Sequence, residues 1–273
     1  MNSFFGPAPV LIAGPCALER DDINLKIGEV LAGLGARLGI RVVYKGSFDK
    51  ANRATLRAPR GLGLDRGLAA LDRVRAETSL PVLTDIHEAS QVAAVAAVVD
   101  AIQIPALLAR QTDLLTAAGR SGRPVNVKKG QSMAPADIGG AVAKVREGGG
   151  RDVVVTERGT FFGYGDLVVD MRSFERMRAA SATPVLFDAT HSVQQPGQGP
   201  GGASGGQREH IPALLCAAAA AGADGFYLET HPHAEAAPSD AATMWPLDDV
   251  EALVERALGV WHAARGQREA HAR

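Results

Sequence analysis

The chain predicts a closed (β/α)₈ barrel built as a single domain over residues 1–273. Short β-rich runs alternate with segments of helical apolar spacing, eight times over. The alternation crosses all 273 residues without a break in composition, a length at which α/β barrels occur as one unit. No Gly-x-Gly-x-x-Gly follows the first strand, which disfavours an open, doubly wound sheet.

The strands are predicted at residues 10–13, 41–44, 81–84, 101–104, 125–128, 153–156, 184–187 and 225–228. After the first, Ile23, Ile27, Val30, Leu31, Leu34 and Leu38 recur at helical spacing until Gly39 stops them. Leu68, Leu71 and Val74 mark the second helix, and Val92, Val95 and Val99 the third. Leu114, Leu115 and Ala118 mark the fourth, which Gly119 is expected to end. Pro135 suits the first turn of a fifth helix carrying Ile138, Val142 and Val145 and closed by Gly148, Gly149 and Gly150. Residues 173–178 give a shorter sixth, and Ile211, Leu214, Leu215 and Ala218 a seventh before Gly222. Leu247, Val250, Leu253, Val254, Leu258 and Trp261 form the last, and the polar stretch 265–273 is expected to fray.

Hydrophobic residues at 46% can fill a large core. Lys and Arg number 29 against 30 Asp and Glu, so no basic excess points to nucleic acid. The balance instead suits a protein of small molecules. Cys16 and Cys216 stand far apart with no Cys-x-x-Cys pair, which speaks against a disulfide framework or zinc ribbon and for a reducing cytoplasm. The first apolar run has no basic region before it and is cut by Gly14-Pro15, so neither a signal peptide nor a membrane span is expected.

In a parallel barrel every strand points its C-terminal end at one rim, where the residues that follow the strands meet. Here they are Cys16; Lys45 and Lys50; Asp85 and His87; Gln103; Lys128 and Lys129; Glu157 and Arg158; Asp188 and His191; Glu229 and His231. Ten residues, 44–53, alone hold three cations, Lys45, Lys50 and Arg53, with Asn52 and Asp49. Cations converging from the second, fifth and sixth strands cannot neutralise one another, and a phosphate or carboxylate is their usual company. Pairing with Asp49, Asp85 or Glu157 is the alternative.

Cys16, His191 and Glu229 carry no local metal-ligand spacing, and each taken singly is ordinary. Barrel closure sets the eighth strand between the seventh and the first, bringing the three onto neighbouring rim positions, and Asp240 in the following loop can complete the set. A thiolate, an imidazole and carboxylates suit a borderline divalent ion such as Zn²⁺, Fe²⁺ or Mn²⁺ better than Mg²⁺ or Ca²⁺. The glycine-rich segment 196–207 fits a phosphate cradle, a mobile lid or a plain surface loop, and without a Lys-Ser/Thr ending it is no P-loop.

The motifs at these positions carry a resemblance that spans essentially the whole chain. Ser47-Phe48-Asp49-Lys50-Ala51-Asn52-Arg53, Gln103-Ile104-Pro105-Ala106, Ala109-Arg110-Gln111-Thr112-Asp113, Val125-Asn126-Val127-Lys128-Lys129-Gly130-Gln131 and Asp188-Ala189-Thr190-His191-Ser192 resemble those of the 3-deoxy-D-manno-octulosonate 8-phosphate synthase family. That family condenses phosphoenolpyruvate with arabinose 5-phosphate, a step towards a lipopolysaccharide sugar. Cys16, where metal-independent members carry Asn, implies the metal-dependent form with Cys16, His191, Glu229 and Asp240 as ligands. The resemblance further implies that Lys45, Ser47, Lys50, Gln103, Lys128 and Arg158 hold phosphoenolpyruvate, and that Asn52, Arg53 and Asp85 hold the aldose phosphate. Arg110 and Gln111 match residues projected into a neighbouring subunit's site, which implies a homo-oligomer, a tetramer. Gly46 and Gly163-Tyr164-Gly165-Asp166 depart from the family pattern without removing a ligand.

The expected chemistry is attack of carbon 3 of phosphoenolpyruvate on the aldehyde, addition of water at carbon 2, and loss of phosphate from the hemiketal. Lys45, Lys50, Lys128, His191 and Asp240 are the residues expected to serve it, the last two in proton transfer, with the metal as Lewis acid or water activator. The related 3-deoxy-D-arabino-heptulosonate 7-phosphate synthases, which use erythrose 4-phosphate, have Lys-Pro-Arg-Thr where this chain has Lys50-Ala51-Asn52-Arg53. A noncatalytic anion-binding barrel is the rival from outside enzymology.

Overall fold

The computed structural model describes residues 3–6 and 9–271. Eight parallel strands close into a barrel: β1 (Val10–Gly14), β2 (Arg41–Lys45), β3 (Val82–Asp85), β4 (Ala101–Ile104), β5 (Val125–Lys128), β6 (Val153–Glu157), β7 (Val185–Asp188) and β8 (Gly225–His231). They pair in chain order, and β8 closes the ring on β1 with Gly14 opposite Glu229. The eight crossover helices are α1 (Asp21–Leu38), α2 (Leu64–Thr78), α3 (Val92–Val98), α4 (Thr112–Arg120), α5 (Ile138–Glu147), α6 (Ser173–Ser181), α7 (Ile211–Ala221) and α8 (Val250–His271). The (β/α)₈ reading of the sequence holds.

Alternation along the strands divides their side chains into two sets. Leu11, Val42, Val82, Ile102, Val125, Val153, Val185 and Phe226 face outward and pack with the apolar stripes of the helices. Val10, Ile12, Val43, Leu83, Ala101, Val154, Leu186 and Tyr227 face inward and fill the lower barrel with Phe5. Two residues beyond that inner layer the same parity reaches Lys45, Asp85, Gln103, Asp188 and Glu229, so these polar groups form the barrel's top layer. Between the layers Asn126 donates to Gln103 Oε1 at 3.0 Å and accepts from Thr156 Oγ1 at 2.7 Å, satisfying buried polar groups across β4, β5 and β6.

One expectation needs correction. Gly119 does not stop its helix but lies inside α4, where a Cβ would stand 2.1 Å from the Val145 carbonyl oxygen of α5. Its absent side chain lets two helices touch. The last helix continues past Arg265, whose guanidinium lies 4.1 Å over the Trp261 ring and pairs with Asp224 at 2.8 Å. Residues 272–273 of the expected tail lie outside the described residues. No helix among the described residues is long and apolar enough to cross a membrane.

Candidate active site

The rim encloses one cavity of about 690 Å³, lined among others by Lys45, Lys50, Asn52, Arg53, Asp85, Gln103, Lys128, Arg158, His191, Glu229 and Asp240. Those residues come from seven of the eight strands or the loops that follow them, as a C-terminal barrel site requires. Pro200 to Ser204 of the glycine-rich segment cover part of the mouth, and Gly205–Gly206 pair with Gln194–Gln195 in a short antiparallel ladder. The segment is therefore a folded cover over the rim.

One corner gathers the expected metal ligands. Ligand atoms of Cys16, Glu229 and Asp240 all lie within 4.8 Å of one another, and the thiol donates to Asp240 Oδ2 at 2.9 Å. His191 Nε2 stands 3.5 Å from Glu229 Oε2 and 3.8 Å from Asp240 Oδ2. A carboxylate only accepts, so the 2.7 Å contact of His191 Nδ1 with Asp188 Oδ2 puts the hydrogen on Nδ1 and leaves Nε2 to this corner. Asp188 also accepts from the His191 backbone at 2.9 Å, which fixes the ring's approach.

Electrostatics supports the fit of a divalent cation there. Burial, then the Asp240 and Glu229 carboxylates, push the Cys16 thiol well above its ordinary pKa. Burial opposes the charge of Glu229, but His191 and Lys45 outweigh it and hold the carboxyl at about 2. Asp240, against the same opposition of burial, is held well below the usual carboxylate range by His191. Glu229 Oε2 is buried with no hydrogen-bond partner. A protonated thiol facing two ionised carboxylates and an unpartnered oxygen is the state that a bound cation would convert to a thiolate site.

Cations adjoin this corner. Lys45 Nζ donates to the Cys16 carbonyl at 3.0 Å and to Glu229 Oε1 at 3.1 Å. Burial works against its charge, yet Glu229 and Asp85 raise its pKa above the ordinary value. Lys128 pairs with Asp188 and lies 3.5 Å over the Tyr227 ring, and burial lowers its pKa in spite of Asp188. Arg158 gives Nη2 to Gln194 Oε1 at 2.6 Å while Nη1 is buried without a partner. Lys50 makes no ion pair among the described residues.

The alternative pairings are accounted for. Asp49 engages Arg60, Asp85 lies 3.3 Å from His87 Nε2, and Glu157 accepts from the backbones of Arg158 and Gly159 at 2.9 and 2.7 Å. None of them takes Lys50 or the free arm of Arg158.

Three expected site residues stand apart. Ser47 is fully buried, its Oγ has no hydrogen-bond partner, and it is not part of the cavity lining. Arg110 and Gln111 are exposed and lie outside this chain's own cavity. Arg53 lines the cavity but is already held by the Pro59 and Pro238 carbonyls and Ser239 Oγ, at 2.6, 3.0 and 2.8 Å. Tyr227 and Gln194 are among the lining residues that escaped the sequence reading. Tyr227 was legible as the inward residue two before Glu229, whereas Gln194, in an irregular loop, carries no periodic signal.

A family model for the DAHP synthetase I family matches residues 6–259. The chain belongs to this family. It is 51% identical over 269 residues to the 2-dehydro-3-deoxyphosphooctonate aldolase of Rhodopseudomonas palustris strain BisB5, covering 93% of each chain. The protein of that name from Syntrophotalea carbinolica is 51% identical over 98% of this chain and 96% of its own. That of Brucella abortus strain S19 is 52% identical over 94% and 92%. Homologues named 2-dehydro-3-deoxyphosphooctonate aldolase and the match to this family cover nearly the whole barrel.

Proposed function

We propose that this chain condenses phosphoenolpyruvate with D-arabinose 5-phosphate and water to give 3-deoxy-D-manno-octulosonate 8-phosphate and inorganic phosphate, and so is a transferase. The observation that carries the reading is a single cavity in which the cations Lys45, Lys50, Lys128 and Arg158 adjoin a corner of Cys16, His191, Glu229 and Asp240. These cations hold the carboxylate and phosphate of phosphoenolpyruvate, with Gln103 assisting. Asn52, Arg53 and Asp85 hold the aldose phosphate, whose aldehyde then lies towards the metal corner.

Carbon 3 of phosphoenolpyruvate forms the new bond to the aldehyde carbon, whose oxygen takes a proton. Water adds at carbon 2, gives up a proton, and the hemiketal phosphate breaks its carbon–oxygen bond to release phosphate. His191 Nε2 and Asp240 face this point and are the groups placed to exchange those protons. The chemistry a bound divalent ion supplies, whether Zn²⁺, Fe²⁺ or Mn²⁺, is Lewis acidity at the aldehyde or the water. Residues 200–204, which line the mouth, are placed to limit the access of bulk water once substrate is bound. Arg110 and Gln111, exposed on their own chain, serve a neighbouring copy's site in a homotetramer, and the setting is the cytoplasm.

Phosphate release from phosphoenolpyruvate tests the reading. Release is expected with arabinose 5-phosphate but not with erythrose 4-phosphate, is abolished by EDTA, and returns with Mn²⁺ or Zn²⁺. No release with arabinose 5-phosphate under metal-replete conditions sinks the assignment; turnover insensitive to EDTA sinks the metal. Phosphoenolpyruvate binding without any turnover makes the chain an anion-binding barrel.

A further inference from the structure

Gln194 belongs to neither corner of the cavity, yet it touches both. Its side-chain oxygen accepts from Arg158 Nη2 at 2.6 Å, and its nitrogen donates to Asp240 Oδ1 at 2.7 Å. The residue is 6% exposed, so water does not stand in for either bond. A guanidinium only donates and a carboxylate only accepts, so the amide fits in one orientation and serves both partners at once. The backbone of Gln194 is also fixed, because it pairs with Gly206 in the short ladder below the glycine-rich cover. A Cβ on Gly206 would lie 2.1 Å from Thr243 Cγ2, so the ladder rests directly on the turn whose Thr243 N–H donates to the Asp240 carbonyl at 2.9 Å.

We infer that Gln194 is a positioning residue that links the anion-holding Arg158 to the metal-corner Asp240, making the anion and the metal bind cooperatively. The inference rests on the reading above, in which Arg158 takes the phosphoenolpyruvate anion and Asp240 a divalent ion. An anion that draws in the unpartnered Nη1 of Arg158 fixes the guanidinium, and through the amide fixes the Asp240 carboxylate in the orientation the cation needs. Linkage then requires that the metal favour the anion by the same factor.

The test measures the dissociation constant of phosphoenolpyruvate by calorimetry with and without saturating Mn²⁺. It also measures that of Mn²⁺, from the spin-resonance signal of the free ion, with and without saturating phosphoenolpyruvate. In the native chain both ratios are expected near tenfold and equal, within the range usual for linked sites. In Gln194→Met, which keeps the shape but neither bond, the ratio is expected to fall below twofold. Gln194→Asn, one methylene too short to span both partners, is expected to do the same and stands in if the first variant does not fold, as judged by circular dichroism and melting. An unchanged ratio in a folded variant overturns the inference and assigns the linkage to direct attraction between the two ligands. Equal affinities with and without the second ligand in the native chain overturn it as well. Failure of the native chain to bind either ligand overturns the underlying reading, and the inference with it.

Discussion

The two corners of the cavity handle buried charge in opposite ways. In the metal corner the ionisable groups face one another: Cys16 bonds Asp240, His191 bonds Asp188, and Glu229 meets Lys45 and His191. In the cationic corner Lys50 and one arm of Arg158 have no partner among the described residues. Burying a charge without company is costly, so the half-buried Lys50 and the buried Nη1 of Arg158 favour an anionic ligand. The chain's own carboxylates thus take Lys45 and Lys128, through Glu229 and Asp188, and leave Lys50 and Nη1 of Arg158 without an ion pair, as the proposed anion site requires.

The most direct way to break this comparison is to remove a cation on each side of the barrel wall. Lys50→Met deletes a charge that lines the cavity, and kcat/KM for phosphoenolpyruvate is expected to fall by about 10² to 10³, as when a preorganised electrostatic donor is lost. Lys129 provides the control. It follows Lys128 directly, but by strand parity its ammonium turns outward, donating to the Gly130 and Gly159 carbonyls and Thr160 Oγ1 at 3.1, 3.3 and 3.0 Å. Lys129→Met is expected to lower the urea midpoint while kcat/KM of the folded fraction changes less than tenfold. Equal kinetic losses in the two variants would erase the distinction between a ligand-facing cation and a structural one.

A smaller effect comes from the metal corner through pH. Glu229 is held at about 2 in the folded chain, below the ordinary carboxyl value near 4.3 that it regains on unfolding. The depressed group contributes stability that is fully present above about pH 4.3 and is lost as pH falls towards about 2. The shift corresponds to about 3 kcal/mol, at 1.36 kcal/mol per unit. Urea unfolding of the metal-free protein at pH 7, 4.5 and 3 should show the loss confined to the acid side, and Glu229→Gln should flatten it. A native chain whose stability does not fall between pH 4.5 and 3 would contradict the charge state assigned to this corner.

How far the sequence reaches follows from the same physics. Strand parity is local, so Lys45, Asp85, Gln103, Lys128 and Glu229 were legible as rim residues once eight β-rich runs were counted. The association of Cys16 with Glu229 followed from closure, since β1 pairs with β8 in a register that sets Gly14 beside Glu229. Long-range packing was not legible. Nothing in the string Lys128-Lys129 tells which lysine faces in until the strand is placed. Gly119 looks like a helix stop until α5 is seen to press on it, and Ser47, expected at the substrate, is buried and absent from the cavity lining. Gln194 is the furthest from reach, because both of its partners lie in loops remote in sequence, 36 and 46 residues away.

Tyr227 stands on the border between the corners and yields the finest test. Its hydroxyl donates to Glu229 Oε1 at 3.4 Å, a long bond, while its ring lies 3.5 Å below the Lys128 ammonium. Burial, then the Glu229 carboxylate, raise the phenol well above its ordinary pKa, so it remains a neutral donor throughout the working range. Tyr227→Phe removes the long hydrogen bond and keeps the ring, and an effect of no more than about 1 kcal/mol, or fivefold in kcat/KM, is expected. Tyr227→Leu removes the ring as well and forfeits a buried cation–π contact worth about 2 kcal/mol, so its loss should be clearly larger and should fall on phosphoenolpyruvate through Lys128. If the two variants instead lose activity equally, the hydroxyl and Glu229 carry the contribution of Tyr227, and the residue belongs to the metal corner alone.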